Sequence, residues 1–132
     1  MPAAPLSPAV VEFATGTNFA ALTTLFADGQ PQTQVMWIDA DDDHLLINTE
    51  VHRQKFRNVE RDPRVTVMIW DAADAYRYVE VRGKVVETVR GQVARDHIDA
   101  CSRRYRGTDY APRIRSERVI LRIAADRVVE RL

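Results

Sequence analysis

The sequence predicts a mainly β protein with minor α content, an antiparallel barrel of about six strands. Three observations lead there. Runs rich in Val, Ile, Thr and aromatic residues are separated by turn chemistry. Helical periodicity is confined to a few short stretches, with no repeating strand–helix–strand order of the kind a parallel sheet needs. The 132 residues amount to one domain, 1–132, without linker, repeat or low-complexity tract, and with length enough to bury a core.

"LSPAVVEFAT" opens with Ser7 as an N-cap and Pro8 at the first helical position. Val10, Val11, Phe13 and Ala14 supply the apolar stripe of a short helix covering one end of the fold. In "NFAALTTLFADGQPQTQVMWID" the Asp28-Gly29 pair lies between two β-favourable runs and predicts a hairpin, because glycine accepts the positive φ of a tight turn. Pro31 then belongs at a strand start or on a sheet edge. Along this second strand Thr33, Val35 and Trp37 share one face, and Gln34, Met36 and Ile38 the other. "DADDDH" reads as a polar turn and "HLLINT" as a third strand. The basic segment "VHRQKFRNVERDP" follows. As a helix it turns His52, Phe56 and Val59 inward and Arg53, Arg57 and Arg61 to solvent, ending before Asp62-Pro63. "RVTVMIWD" carries apolar residues on both faces and reads as a central strand. "YRYVEVRGKVVETV" alternates cleanly, and Gly83 within it marks a bulge or a close backbone approach. "GQVARDHIDACSRRYRG" is helical in period, with His97, Cys101 and Tyr105 near one face and Gly107 as the stop. "TDYAPRIRS" is a loop. "ERVILRIAADRVVERL" supplies a last strand and a short terminal piece.

Composition narrows the function classes. Hydrophobic content of 45% and charged content of 29% are those of an ordinary globular domain. Nineteen basic and nineteen acidic residues cancel, and no strand face clusters basic with aromatic positions, so no nucleic-acid partner is expected. Seventeen of the nineteen basic residues are Arg. A GC-rich coding sequence accounts for this, as does a use for planar, bidentate grips on phosphate or carboxylate. The single cysteine precludes an internal disulfide and fits a reducing compartment. "MPAAPLSPAVVEF" has neither the basic nor the long apolar region of a signal peptide, and no apolar run approaches the ~18 residues of a spanning helix. The expectation is a cytoplasmic protein with no membrane partner.

Most chemical motifs are missing. There is no G-x-S-x-G, and mid-helix Cys101 reads as a small buried hydrophobe. His44, His52 and His97 lack ligand spacing, and "DDDH" lacks the glycine and closing Glu of a calcium loop, so no metal site is expected. Phosphate-loop and dinucleotide fingerprints are absent. Scattered carboxylates identify no acid–base pair, and no catalytic residue is assigned. The basic segment remains. A solvated face with i,i+4 partners is its plainest reading. Lys55, however, lies about 200° around the helix from Arg53, so both can grip one anion only in the first turn. The free amides of a first turn already favour anions, and Thr49 adds a hydroxyl from the preceding strand end. Strand, Thr, then Arg-x-Lys at a helix start is a candidate phosphate cradle.

The order of "ADGQPQTQVMW", "LLINTEVHRQKFRNVERDPRVTV", "YVEVRGKVVE" and "RRYRGTDY" resembles the pyridoxamine 5'-phosphate oxidase-like split-barrel superfamily. It is most similar to the deazaflavin-dependent oxidoreductases, including the branch with biliverdin reductases. The resemblance implies a six-stranded antiparallel split β-barrel of the FMN-binding type. It further implies a homodimer with a flavin-like cofactor in a groove between subunits. Arg53 and Lys55 would hold the cofactor phosphate with Thr49, and backbone groups of Thr33, Gln34, Val35 and Met36 would line its ring. Trp37 falls near that edge, or in the core; Tyr76 and Tyr78 reach the other subunit's cofactor, or pack across strands. Ending at "RVVERL", the sequence lacks the segment with which pyridoxamine-phosphate oxidase proper grips its substrate, so a different substrate is expected. Gln54 stands where FMN-binding oxidases often carry a second base. That points to coenzyme F-420, with FMN as the alternative. Arg113, Arg115 and Arg118 are candidates for its polyglutamate tail, or for surface salt bridges. The implied activity is hydride transfer from reduced F-420 to a conjugated or carbonyl-containing molecule such as a tetrapyrrole, quinone or other enone. A non-catalytic flavin- or haem-binding barrel is the other reading.

Overall fold

A computed structural model describes residues 3–132. Its elements are α1 (Pro8–Thr15), β1 (Phe19–Leu25), β2 (Pro31–Trp37), β3 (Asp39–Ala40), β4 (Leu45–Glu50), α2 (Gln54–Arg61), β5 (Arg64–Trp70), β6 (Tyr78–Arg90), α3 (Gln92–Arg106) and β7 (Arg118–Arg131). The strands form one antiparallel sheet in the order β2-β1-β5-β6-β7-β4-β3. This is the expected mainly β split barrel, with seven strands instead of six. The extra strand is Asp39–Ala40, read from sequence as part of a polar turn. The terminal segment also differs: β7 runs unbroken for 14 residues, because the long β6 beside it pairs along its whole length.

The split has a local cause. β2 and β3 lie at opposite ends of the sheet order, and the chain passes between them through Ile38 alone. Ile38 is fully buried, so its peptide groups need partners that no ladder provides there. Helix α3 supplies them. The Ile38 N–H donates to Tyr105 Oη at 3.1 Å, and the Ile38 carbonyl accepts from Arg104. Tyr105 also donates to the Asn18 carbonyl. Side chains of one helix thus bridge the two sheet ends where strand pairing stops.

Local chemistry sets most of the other joints. Ser7 caps α1 by accepting the Val10 N–H at 3.2 Å, and Val10, Phe13 and Ala14 of that helix enter the core. Gly29, at φ 88°, makes the β1–β2 turn, after which Pro31 opens edge strand β2. Gly83 marks a register shift in β6, where a Cβ would come within 2.0 Å of the Ala124 carbonyl oxygen. The interior is aliphatic, with Leu22, Ile47, Val67, Val81 and Leu121 at its centre.

The outer sheet face is different. Trp37, Phe19, Trp70 and Tyr78 stand in register across β2, β1, β5 and β6, and the next row holds Val35, Ala21 and Met68. Val35 is 66% exposed and Met68 42%. β5 is central, as expected, but its second apolar face looks outward.

Candidate functional site

The basic segment forms a shorter helix than its sequence suggests. α2 begins at Gln54, and His52 belongs to the preceding turn, exposed rather than inward. Its ring bonds Ser116 Oγ at 2.6 Å instead. Phe56 and Val59 are buried as expected, joined by Lys55 and Asn58. Arg53 is the N-cap but offers no side-chain acceptor, so the amides of Gln54 and Lys55 find none among the described residues. Lys55 is only 7% exposed, and among the described residues its side chain makes no hydrogen bond or ion pair. Burial, and then repulsion from Arg53 and Arg118, holds its pKa below the ordinary lysine value. A largely buried lysine whose ammonium has no partner among the described residues, next to first-turn amides without acceptors, is a site that suits an anion.

Glu50 organises the cations around it. One of its oxygens accepts the Arg115 and Ser116 N–H groups at 2.6 and 3.1 Å. The other lies 4.0 Å from Arg53, Arg118 and His52, beyond hydrogen-bond range of each. Burial alone would raise the Glu50 pKa; the two amides, then Arg118 and His52, bring it below the ordinary value. One carboxylate therefore faces both Arg53 and Arg118, while Lys55 feels those two cations and no acid, so the cluster keeps net positive charge.

A cavity of about 300 Å³ opens beside this cluster, between β2, β4, α3 and the loop before β7. Met36, Trp37, Ile98, Tyr110 and Pro112 give it apolar and aromatic walls, with Asn48, Arg106 and Arg118 as polar groups. Trp37 stacks on Tyr105 at 5.1 Å and 6° between planes, which fixes the indole at the rim. Behind Asn48 lies a relay joining distant segments. Asn48 Oδ1 accepts from Arg118 Nε at 2.8 Å, and its Nδ2 donates to the Ala94 carbonyl at 2.9 Å and to His97 Nδ1 at 3.0 Å. His97 Nε2 meets Asp39 at 2.9 Å and Cys101 Sγ at 3.5 Å. Asp39 also pairs with Arg104 at 3.0 Å.

Burial disfavours a charged ring at His97, but the hydrogen bonds with Asp39 and Cys101 outweigh it and carry its pKa up to about 9. The Asn48 amide works against that charge. Its orientation is held by Arg118 and Ala94, so it presents N–H to His97 Nδ1, which must carry the lone pair. When the ring is neutral, its proton therefore sits on Nε2 and is given to Asp39. That assignment also weighs against a metal among Asp39, His97 and Cys101, although their donor atoms lie within 4.8 Å of one another. A metal on Nε2 would need Nδ1 as a donor, and Asn48 offers it no acceptor.

The expected site residues divide. Arg53 and Lys55 come together; Val35, Met36 and Trp37 line the cavity; Thr33 and Gln34 lie farther along β2, outside its lining. Thr49 is buried on the same strand face as Leu45 and Ile47, toward the interior. Tyr78 stands in the outer aromatic row, away from the cavity lining, and Tyr76 is 89% exposed. Of the three arginines offered for salt bridges or a polyglutamate tail, Arg113 and Arg115 are exposed, whereas Arg118 is 92% buried by its 8% exposure. Sequence reasoning missed Glu50, Asn48 and the Asp39–His97–Cys101 cluster. Asp39 and His97 are 58 residues apart, a separation no local spacing rule reaches.

Comparison with known proteins agrees with this fold. Residues 6–131 match the family described as pyridoxamine 5'-phosphate oxidase. Among solved structures, an F420 reductase is 27% identical with a TM-score of 0.79, over 91% of this chain and 95% of that one. The conserved hypothetical protein Rv2991 from Mycobacterium tuberculosis is 28% identical with a TM-score of 0.70, over 93% and 82%. General stress protein 26 from Bacillus anthracis, at 20% identity and a TM-score of 0.63 over 89% and 86%, shares the fold.

Proposed function

The chain belongs to the pyridoxamine 5'-phosphate oxidase family, an oxidoreductase-type family of flavin and deazaflavin binders, and from that premise we propose that it is an F-420-dependent oxidoreductase. Its reaction is hydride transfer to a conjugated or carbonyl-containing small molecule. One observation carries the reading: Lys55, nearly buried and without a partner among the described residues, sits beside Arg53 at the open start of α2, where a cofactor phosphate would find a cation. The similar F420 reductase supports the deazaflavin over FMN, as does neutral Gln54 between the two cations.

The residues present fit such a cofactor. Arg53, Lys55 and the free α2 amides would hold the phosphate. The edge of β2 from Val35 to Trp37 would carry the ring, since an edge strand has unpaired backbone groups to offer. When bound, a reduced deazaflavin supplies a hydride. The chain supplies orientation, apolar walls that exclude water, and a positive field along the rim.

A second copy of the chain is the proposed partner for the outer sheet face. Val35 and Phe19 are exposed there and also line the cavity, so a subunit docked on this face would complete the cavity rim. The experiment is to mix the protein with chemically reduced F-420 and a panel of enones and quinones. Return of the oxidised cofactor's visible absorbance only when protein and acceptor are both present supports the activity. No oxidation above the protein-free rate with any acceptor argues against it.

A further inference from the structure

We propose that the cavity behind the β2 edge, with the cofactor ring lying along that edge at its mouth, is the substrate pocket, and that Arg118, with Arg106 as second cation, selects substrates bearing a carboxylate on an aromatic or conjugated body. This rests on the oxidoreductase reading above and adds a substrate class to it.

Arg118 is held in place by groups that leave its terminal fork free. Its Nε is bonded to Asn48, its plane lies over the Tyr110 ring with 5.1 Å from Cζ to the centroid, and no carboxylate comes closer than the 4.0 Å of Glu50. Glu50 cannot swing in to neutralise it, because two backbone amides fix its other oxygen. Asn48 is fixed in turn by Ala94 and His97. A guanidinium that is nine-tenths buried and faces a cavity without an acid on its two terminal nitrogens is preorganised for a bidentate oxyanion.

Arg106 lines the same cavity over the Trp37 ring, at 5.6 Å, and forms no ion pair among the described residues. Two cations with no carboxylate within hydrogen-bond range, set in aromatic and aliphatic walls, suit a flat apolar ligand with an anionic end. The volume, about 300 Å³, suits one or two rings. The guanidinium fork matches the two oxygens of a carboxylate, and Glu50 stands between this fork and the Arg53 side of the cation cluster. A glutamate tail would offer the same carboxylate chemistry, but the walls here are apolar.

The test uses cinnamate and its neutral isostere cinnamamide, titrated separately against the full chain by tryptophan fluorescence, with an F-420 titration in parallel. Wild-type protein should bind cinnamate at least about tenfold more tightly than cinnamamide, the scale of one charge-assisted bidentate pair. Arg118→Met should bring the two within about twofold. Arg118→Lys keeps the charge without the fork and should lose most of the preference. Arg106→Gln, at an exposed position that folding does not need, should lose part of it. Failure of the wild type to bind cinnamate, equal affinity for both probes, or a preference that survives Arg118→Met and Arg118→Lys would each overturn the proposal. Loss of F-420 binding in Arg118→Met with the cinnamate preference intact would overturn it too, assigning Arg118 to the cofactor. Failure of the wild type to bind F-420 would count against the deazaflavin reading separately.

Discussion

Replacing Lys55 by Met separates a binding cation from a structural one, because the two roles predict opposite signs. The methionine keeps a straight chain of similar volume and removes the charge. In the folded protein Lys55 is 7% exposed without an acid beside it, and burial with two neighbouring arginines already depresses its pKa. The charge is therefore a cost to the ligand-free fold, and Lys55→Met should melt at the same temperature or higher. The effect on binding is the reverse. A hydrogen bond to a charged partner contributes about 1.5–3 kcal/mol, so the variant's Kd for oxidised F-420 should rise roughly 10- to 160-fold. Arg53→Ala should cost less, about 1 kcal/mol or roughly fivefold, because Arg53 is 55% exposed and solvent screens it. Fluorescence titration gives the Kd values and thermal denaturation the stabilities. An unchanged Kd in Lys55→Met, or a lowered melting temperature, would refute the reasoning.

Other positions give further tests. Gly83→Ala places a Cβ within 2.0 Å of the Ala124 carbonyl and should destabilise the barrel by about 2–4 kcal/mol; an unshifted urea midpoint would contradict that. Met68→Glu puts a charge in the centre of the exposed apolar face, and light scattering should show a wild-type dimer becoming monomeric; a monomeric wild type or a dimeric variant would remove this face as the interface. The Glu50 carboxyl is held below its ordinary pKa of 4.5, so its stabilisation is present above that value and lost as pH falls through the lowered one. Glu50→Gln should flatten this acid limb of the urea midpoint, and a limb of the same slope in both proteins would exclude Glu50 as its source.

What the sequence disclosed follows the range of the forces involved. Ser7-Pro8, Asp28-Gly29, Gly83 and Gly107 act within a few residues through capping, positive φ or close backbone approach, and each sits where its chemistry demands. β3 escaped notice because two residues, Asp39 and Ala40, have little strand preference of their own and pair only because Leu45 and Leu46 are brought beside them. The start of α2 was placed too early because its cap is Arg53, which signals no helix start, so His52 appeared to join the inward stripe. At the site, the Arg53–Lys55 pair was legible because its members are neighbours in one turn. Arg118 was open to a surface reading because its burial depends on Asn48 and Tyr110, contributed by other segments. The Asp39–His97 contact exists only after β3 and α3 have closed the split at Ile38.

The most direct test of the deazaflavin reading is a paired titration of the ligand-free protein with oxidised F-420 and with FMN, followed by fluorescence. A clamp built from Arg53, Lys55 and the open start of α2, with Gln54 between them, should bind F-420 at least about tenfold more tightly than FMN. Tighter binding of FMN, or equal affinity for the two, would contradict it.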